Sequence, residues 1–209
     1  MSDFSELSIR QFLSTLASSA PTPGGGTAAA IAGAMGASLT EMVAALTLSR
    51  EKFAPVHDAM RTIAEAARRA REEFLDLARE DSQAYDAVVA ARRLARETDE
   101  ERQVRAREIE SANRMATEIP MRTVRAAVRL LAALPELVEK GNPNAIYDAG
   151  AAALMFSAAA EGALLNVGIN LPGISEAAFV GDMRREAAAI QAETQRLRSD
   201  ILSEVAKRF

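Results

Sequence analysis

The chain contains no cysteine and a single histidine, His57. The first absence excludes disulfides, thiolate metal sites and cysteine nucleophiles. It is compatible with a reducing compartment, and a cytoplasmic location is the expectation. The lone histidine, read as a surface residue, excludes a multi-histidine metal site. Metal chemistry would have to rest on carboxylates alone, so no metal is expected. Lysine is scarce as well: Lys52, Lys140 and Lys207 are the only three. The 25 basic and 29 acidic residues leave a net charge of −4, with no basic surplus to suggest nucleic acid or anionic lipid as a partner. The opening Met-Ser-Asp-Phe-Ser-Glu lacks a cationic stretch, so no secretion signal is expected. Residues 12–40 carry no charge at all. Prolines 21 and 23 and glycines 24–26 interrupt that run, and Ala, Ser and Thr dominate the rest. A membrane span is therefore not expected there.

What is abundant is Ala, Leu, Arg and Glu, with few β-branched or aromatic runs, which predicts helix nearly throughout. With 209 residues, the chain can bury a real core, and one domain over 1–209 is the natural reading. Helices are predicted over about 8–18, 27–48 and 57–96. Thr98, followed by Asp99, Glu100 and Glu101, predicts an N-cap with an acidic first turn. Pro120 is expected to kink or restart the helix that follows, and Pro135 to end its next piece. Residues 140–144 read as a loop. The nearly all-apolar stretch 145–167 reads as a helix that is central or lies at a subunit interface. A last amphipathic helix runs from about 175 to 208. Gly33 and Gly36 predict close approach to the 27–48 helix. The architecture predicted is a single all-α, multi-helical bundle.

Several polar residues sit where this pattern expects none. Asp81 falls on the stripe formed by Phe74, Leu77, Ala78, Ala84, Tyr85 and Val88. A carboxylate there must be paired, hydrogen-bonded or line a cavity. Burial would raise its pKa toward the range useful for proton transfer; an arginine partner from a neighbouring helix is the alternative. Asp148 opens the apolar helix, where an aspartate also simply complements the helix dipole. Asn166 and Asn170, four apart, suit either a heteroaromatic ring edge or C-terminal capping. Lys52 could bind an anionic ligand group or be a solvated cation near a helix C-terminus. Glu161, beside Gly162, could serve a site or a subunit contact.

The run Pro21-Thr22-Pro23-Gly24-Gly25-Gly26-Thr27 is not a Walker loop, because no lysine follows. It is not a dinucleotide fingerprint either, because no strand precedes it. By spacing it is a turn whose bare amides at a helix N-terminus permit close approach.

Together these residues resemble the cyclodeaminase/cyclohydrolase family of folate enzymes. The likeness runs from 12–29 through Met42, Val43, Leu46 and Thr47 to Asp81 in Asp-Ser-Gln-Ala-Tyr-Asp. It continues through 98–101 and Lys140-Gly141-Asn142 to Asp148-Ala149-Gly150 and Asn166-Val167…Ile169-Asn170. The resemblance implies an all-α homodimer with no metal, and no cofactor beyond the tetrahydrofolate-linked substrate. It implies Asp81 as the catalytic residue. Pro23, Gly24, Gly25, Gly26, Lys52, Asp148, Asn166 and Asn170 are then expected to line the folate pocket, with Lys52 anchoring the tail. Relatives carry a more lysine-rich run where this chain has Ser49-Arg50-Glu51-Lys52. The expected activity is methenyltetrahydrofolate cyclohydrolase; formiminotetrahydrofolate cyclodeaminase and a non-catalytic helical folate-binding protein are the alternatives.

Overall fold

The computed structural model describes residues 6–208, so the first five residues discussed above lie outside the described residues. Six α-helices and no strand occur among the described residues: α1 (Ile9–Leu16), α2 (Gly25–Leu48), α3 (His57–Arg92), α4 (Asp99–Lys140), α5 (Ile146–Asn170) and α6 (Ala177–Ala206). The fold is all-α, as expected.

Local chemistry sets the helix starts. Ser8 and Thr98 each close a capping box, with Gln11 and Glu101 respectively, and each such cap stabilises its helix by ~1 kcal/mol. α2 begins earlier than expected, at Gly25, with Gly24 as its extended N-cap. α3 stops at Arg92 rather than running to 96.

The largest departure is in α4, where Pro120 and Pro135 lie inside one unbroken helix. An internal proline costs ~3 kcal/mol, in part because the carbonyl four residues back loses its donor. For Pro120 that carbonyl belongs to Ala116, and the Nδ2 of Asn170 on α5 donates to it at 2.6 Å. A tertiary hydrogen bond thus replaces the local one. Pro135 lies on the exposed side of α4.

Helices α2, α3, α4 and α5 form a ring in which each packs on the next and α5 closes back on α2; α6 lies outside, against α4 and α5. Asn142 N–H donates to Thr47 Oγ1 at one end of the ring, and Gly25 faces Asn166 at the other. Those contacts make α2 and α5 antiparallel. The centre of the ring is built on missing side chains. A Cβ at Gly33 would lie 2.5 Å from the Phe74 ring, and one at Gly36 3.0 Å from that of Phe156. The two phenylalanines, fully buried, have ring centroids 6.3 Å apart. Buried hydroxyls on these helices bond back to the carbonyl four residues earlier: Thr40 to Gly36, Thr47 to Val43 and Ser157 to Ala153. No polar atom is left stranded by them. By length and composition Gly25–Leu48 and Pro143–Gly173 could each cross a membrane; here they are ring neighbours on which α3, α4 and α6 pack.

The stripe on α3 is buried at Phe74, Leu77, Ala78, Ala84 and Val88, but Tyr85 is 44% exposed. The reason is geometric. α2 starts opposite Asp81, so one turn further along α3 there is no α2 to cover the tyrosine.

Candidate functional site

The antiparallel ring brings three segments to one point: the first turn of α2, the later part of α3 and the last turns of α5. Asp81 of α3 meets α2 at Gly26. A Cβ there would lie 2.2 Å from Asp81 Oδ1 and 2.7 Å from its Cγ. No side chain can occupy that space together with the carboxyl, so glycine at 26 is what lets Asp81 dock on bare helix backbone. Once docked, the carboxyl accepts from the hydroxyl of Thr27 at 2.9 Å and from the Thr27 backbone N–H. The fully buried Thr27 hydroxyl also lies 3.1 Å from Ser82 Oγ. The contact combines the free N–H groups of a helix start with the positive end of its dipole.

Two effects compete on the Asp81 proton. Burial, the larger, disfavours the charged form and raises the pKa from its ordinary 3.8; the Thr27 donors lower it. Burial wins, so the pKa is raised. The arginine partner considered from the sequence is replaced by Thr27. A carboxyl held in one place with a raised pKa can both take and return a proton.

The other expected residues divide into two groups. Pro23 is buried and leads into Gly24 and Gly25 beside this point. A Cβ on Gly25 would lie 3.6 Å from Asn166 Nδ2, and one on Gly162 3.3 Å from Ala29. Asn166 donates to the Gly162 carbonyl at 2.9 Å, and its amide oxygen has no partner among the described residues. Asn170 is close by in sequence, but its amide nitrogen is committed to the Ala116 carbonyl. It acts first as the replacement donor for Pro120. Next to it, Asn113 Nδ2 donates to Gly173 O at 2.8 Å, fixing the turn that ends α5.

Lys52 and Asp148 are not brought to Asp81 within one chain. The 24 residues of α2 span about 36 Å at the α-helical rise, and Lys52 follows the far end. Asp148 sits in the first turn of α5, 18 residues or about 27 Å before Asn166. Sequence periodicity assigns a residue to a face of its helix and says nothing of which end of the bundle it shares. Glu161 lines a separate cavity between α5 and α6 with Leu165, Gly168 and Arg184. No group of three or more His, Asp or Glu side chains suited to a metal occurs among the described residues.

Sequence reasoning passed over Thr27 and Ser82 as site residues. The signal was available: Thr27 directly follows the glycine run and Ser82 directly follows Asp81.

Residues 8–189 match the family model described as formiminotransferase-cyclodeaminase. The chain is 39% identical over 197 residues to a methenyltetrahydrofolate cyclohydrolase of Methylorubrum extorquens, covering 94% of this chain and 95% of that one. It is 30% identical over 192 residues to the formimidoyltransferase-cyclodeaminase of Rattus norvegicus, of which it spans 36%. The fold superposes on the crystal structure of a formiminotetrahydrofolate cyclodeaminase from Thermotoga maritima with a TM-score of 0.80 and 30% identity, over 98% of this chain and 96% of that one.

A buried carboxyl with a raised pKa has a defined effect on stability. The native state holds the Asp81 proton to higher pH than the unfolded state does. Stability from this group is therefore greatest below its ordinary value of 3.8 and is lost as pH rises through the raised native value. Asp81→Asn, which cannot ionise, should melt above the wild type at neutral pH. The gap should close as pH falls toward the ordinary value, as read by thermal melts across the acid range.

Proposed function

The chain belongs to the formiminotransferase-cyclodeaminase family, and on that premise we propose that it is a methenyltetrahydrofolate cyclohydrolase with Asp81 as its proton shuttle. The observation that carries this is the Asp81–Gly26–Thr27 contact, together with 39% identity to a cyclohydrolase over nearly the full length of both chains.

The substrate, 5,10-methenyltetrahydrofolate, is a cation whose charge is spread over N5, the bridging carbon and N10. Water adds to that carbon, and the Asp81 carboxylate takes one of its protons. The resulting neutral carbinolamine has a tetrahedral carbon between the two nitrogens. The bond from carbon to N5 then breaks, Asp81 returns its proton to N5, and the carbinolamine hydroxyl releases its proton as the carbonyl forms. The products are 10-formyltetrahydrofolate and one proton. A raised pKa suits both halves of this cycle, and the carboxylate form stabilises the cationic substrate. Thr27 fixes the carboxyl plane. The bare backbone of Gly24, Gly25 and Gly26 offers a wall that a flat pterin can approach closely, and the unpaired amide oxygen of Asn166 suits a ring N–H.

The structural likeness to a formiminotetrahydrofolate cyclodeaminase favours one second reading. There N10 attacks an N5-formimino carbon, ammonia leaves, and the same carboxyl would protonate the departing nitrogen. A cytoplasmic location belongs to the proposal and is supported by the absence of cysteine.

A homodimer is also part of the proposal. Met35, Met42 and Leu46 on α2, and Leu154, Leu165 and Ile169 on α5, are exposed apolar side chains on neighbouring helices. Faces of this kind mark association sites.

Purified protein should consume methenyltetrahydrofolate, followed by loss of its absorbance, and should release little ammonia from formiminotetrahydrofolate. Asp81→Asn should lower kcat by between about a hundredfold and ten-thousandfold while folate still binds. Full activity in that variant contradicts the assignment, and ammonia release as the faster reaction favours the cyclodeaminase. For the dimer, light scattering should give twice the mass of one chain, and Met42→Asp should shift it to the monomer mass. A monomeric wild type contradicts the dimer.

A further inference from the structure

A groove of about 520 Å³ runs along the end of α3, lined by Pro21, Tyr85, Asp86, Val89, Ala90 and Arg93. It begins one helical turn from Asp81. Asp81, Tyr85, Val89 and Arg93 are spaced at four residues and so lie along one face of α3. Pro21, from the strap that leads into the glycine run, forms the opposite wall. The groove thus starts at Tyr85, one turn from the carboxyl on the same face of α3.

We propose that this groove binds the aminobenzoyl-glutamate tail of the folate substrate, with Tyr85 against the benzoyl ring and Arg93 on the glutamate carboxylate. The assignment rests on the folate reading of the Asp81 site.

Length, chemistry and polarity each agree with it. The 12 residues from Asp81 to Arg93 span about 18 Å of helix, and the arginine side chain leans back toward Asp81. The remaining gap is comparable to an extended aminobenzoyl ring carrying one glutamate. Tyr85, exposed because α2 does not reach it, offers an amphipathic ring for offset stacking, and Pro21, Val89 and Ala90 complete an apolar wall. The backbone N–H of Arg93 donates to the Ala90 carbonyl at 3.0 Å, while its guanidinium has no hydrogen-bond or ion-pair partner among the described residues. Nearby, Arg105 donates to the Arg92 carbonyl at 3.1 and 3.3 Å, and Arg102 to the carbonyls of Arg96 and Glu97. An uncommitted guanidinium at the mouth of an apolar groove matches a carboxylate with two parallel donors. Asp86 sets direction. Its charge repels a carboxylate near the Tyr85 end and accepts from the amide N–H that joins the ring to the glutamate.

The assignment departs from the anchor implied by the resemblance. Lys52 lies beyond the far end of α2, with its ammonium 4.8 Å from the Phe53 ring centroid, and one folate cannot reach both it and Asp81 in one chain.

The test compares turnover of two substrates by the full-length protein: methenyltetrahydrofolate, and a truncated analogue whose N10 carries an unsubstituted phenyl ring. The readout is the ratio of their kcat/KM values. In the wild type the glutamylated substrate should be preferred. Arg93→Ala should cut that preference about tenfold, by raising KM for the glutamylated substrate. Arg93→Lys should keep part of it, and Arg93→Glu should lose more than Arg93→Ala. A preference unmoved by Arg93→Ala, or one lost instead in Lys52→Ala, overturns the tail assignment while leaving the cyclohydrolase reading intact. A wild type that turns over neither substrate overturns both.

Discussion

The arrangement depends on one contact: the Asp81 carboxyl resting on helix backbone where Gly26 has no side chain. Burial makes the charge unfavourable, and the Thr27 hydroxyl and amide offset only part of that cost. The carboxyl stays in place because its surroundings are fixed independently. Gly33 and Gly36 seat α2 on Phe74 and Phe156, while Asn170 on α5 supplies the hydrogen bond that Pro120 in α4 cannot. The ring is therefore held by contacts that do not involve the carboxyl, and the carboxyl is free to be unfavourable. A carboxylate that is too stable as an ion would be slow to take the proton up, so the destabilisation and the proposed chemistry have the same origin.

Much of this was legible in the sequence, for identifiable reasons. Helix content followed from composition, and the caps at Ser8 and Thr98 from local chemistry. The inward position of Asp81 followed from spacing alone. Where the reading failed, the deciding interaction was tertiary. Pro120 looked like a break because its compensating donor comes from another helix. Tyr85 looked buried because its stripe is correct but its cover stops short: α2 starts at Gly25. For Lys52 and Asp148, which the family likeness places in the folate pocket, the structure shows only that the lengths of α2 and α5 separate them from Asp81 within one chain. Periodicity carries the face of a residue, and only the packing order of the helices carries the end.

The family includes relatives named for water addition and relatives named for ammonia loss, and the site geometry suggests how one scaffold serves both. Each reaction builds and collapses a tetrahedral carbon between N5 and N10, and each needs one proton moved at that carbon. In the proposed mechanism a single carboxyl on a rigid helix moves that proton. Specificity then rests with what surrounds the carbon and with what holds the rest of the ligand, for which the groove from Tyr85 to Arg93 is the site proposed above.

The account's central claim is that the missing side chain at 26 positions the catalytic carboxyl. Gly26→Ala tests it most directly, with kcat on methenyltetrahydrofolate measured beside a thermal melt of the same preparation. The added methyl must push Asp81 off the first turn of α2. The account predicts a chain that still melts cooperatively and has lost about a hundredfold in kcat, the scale on which a displacement of about 1 Å acts. A folded variant with a kcat near that of the wild type would contradict it.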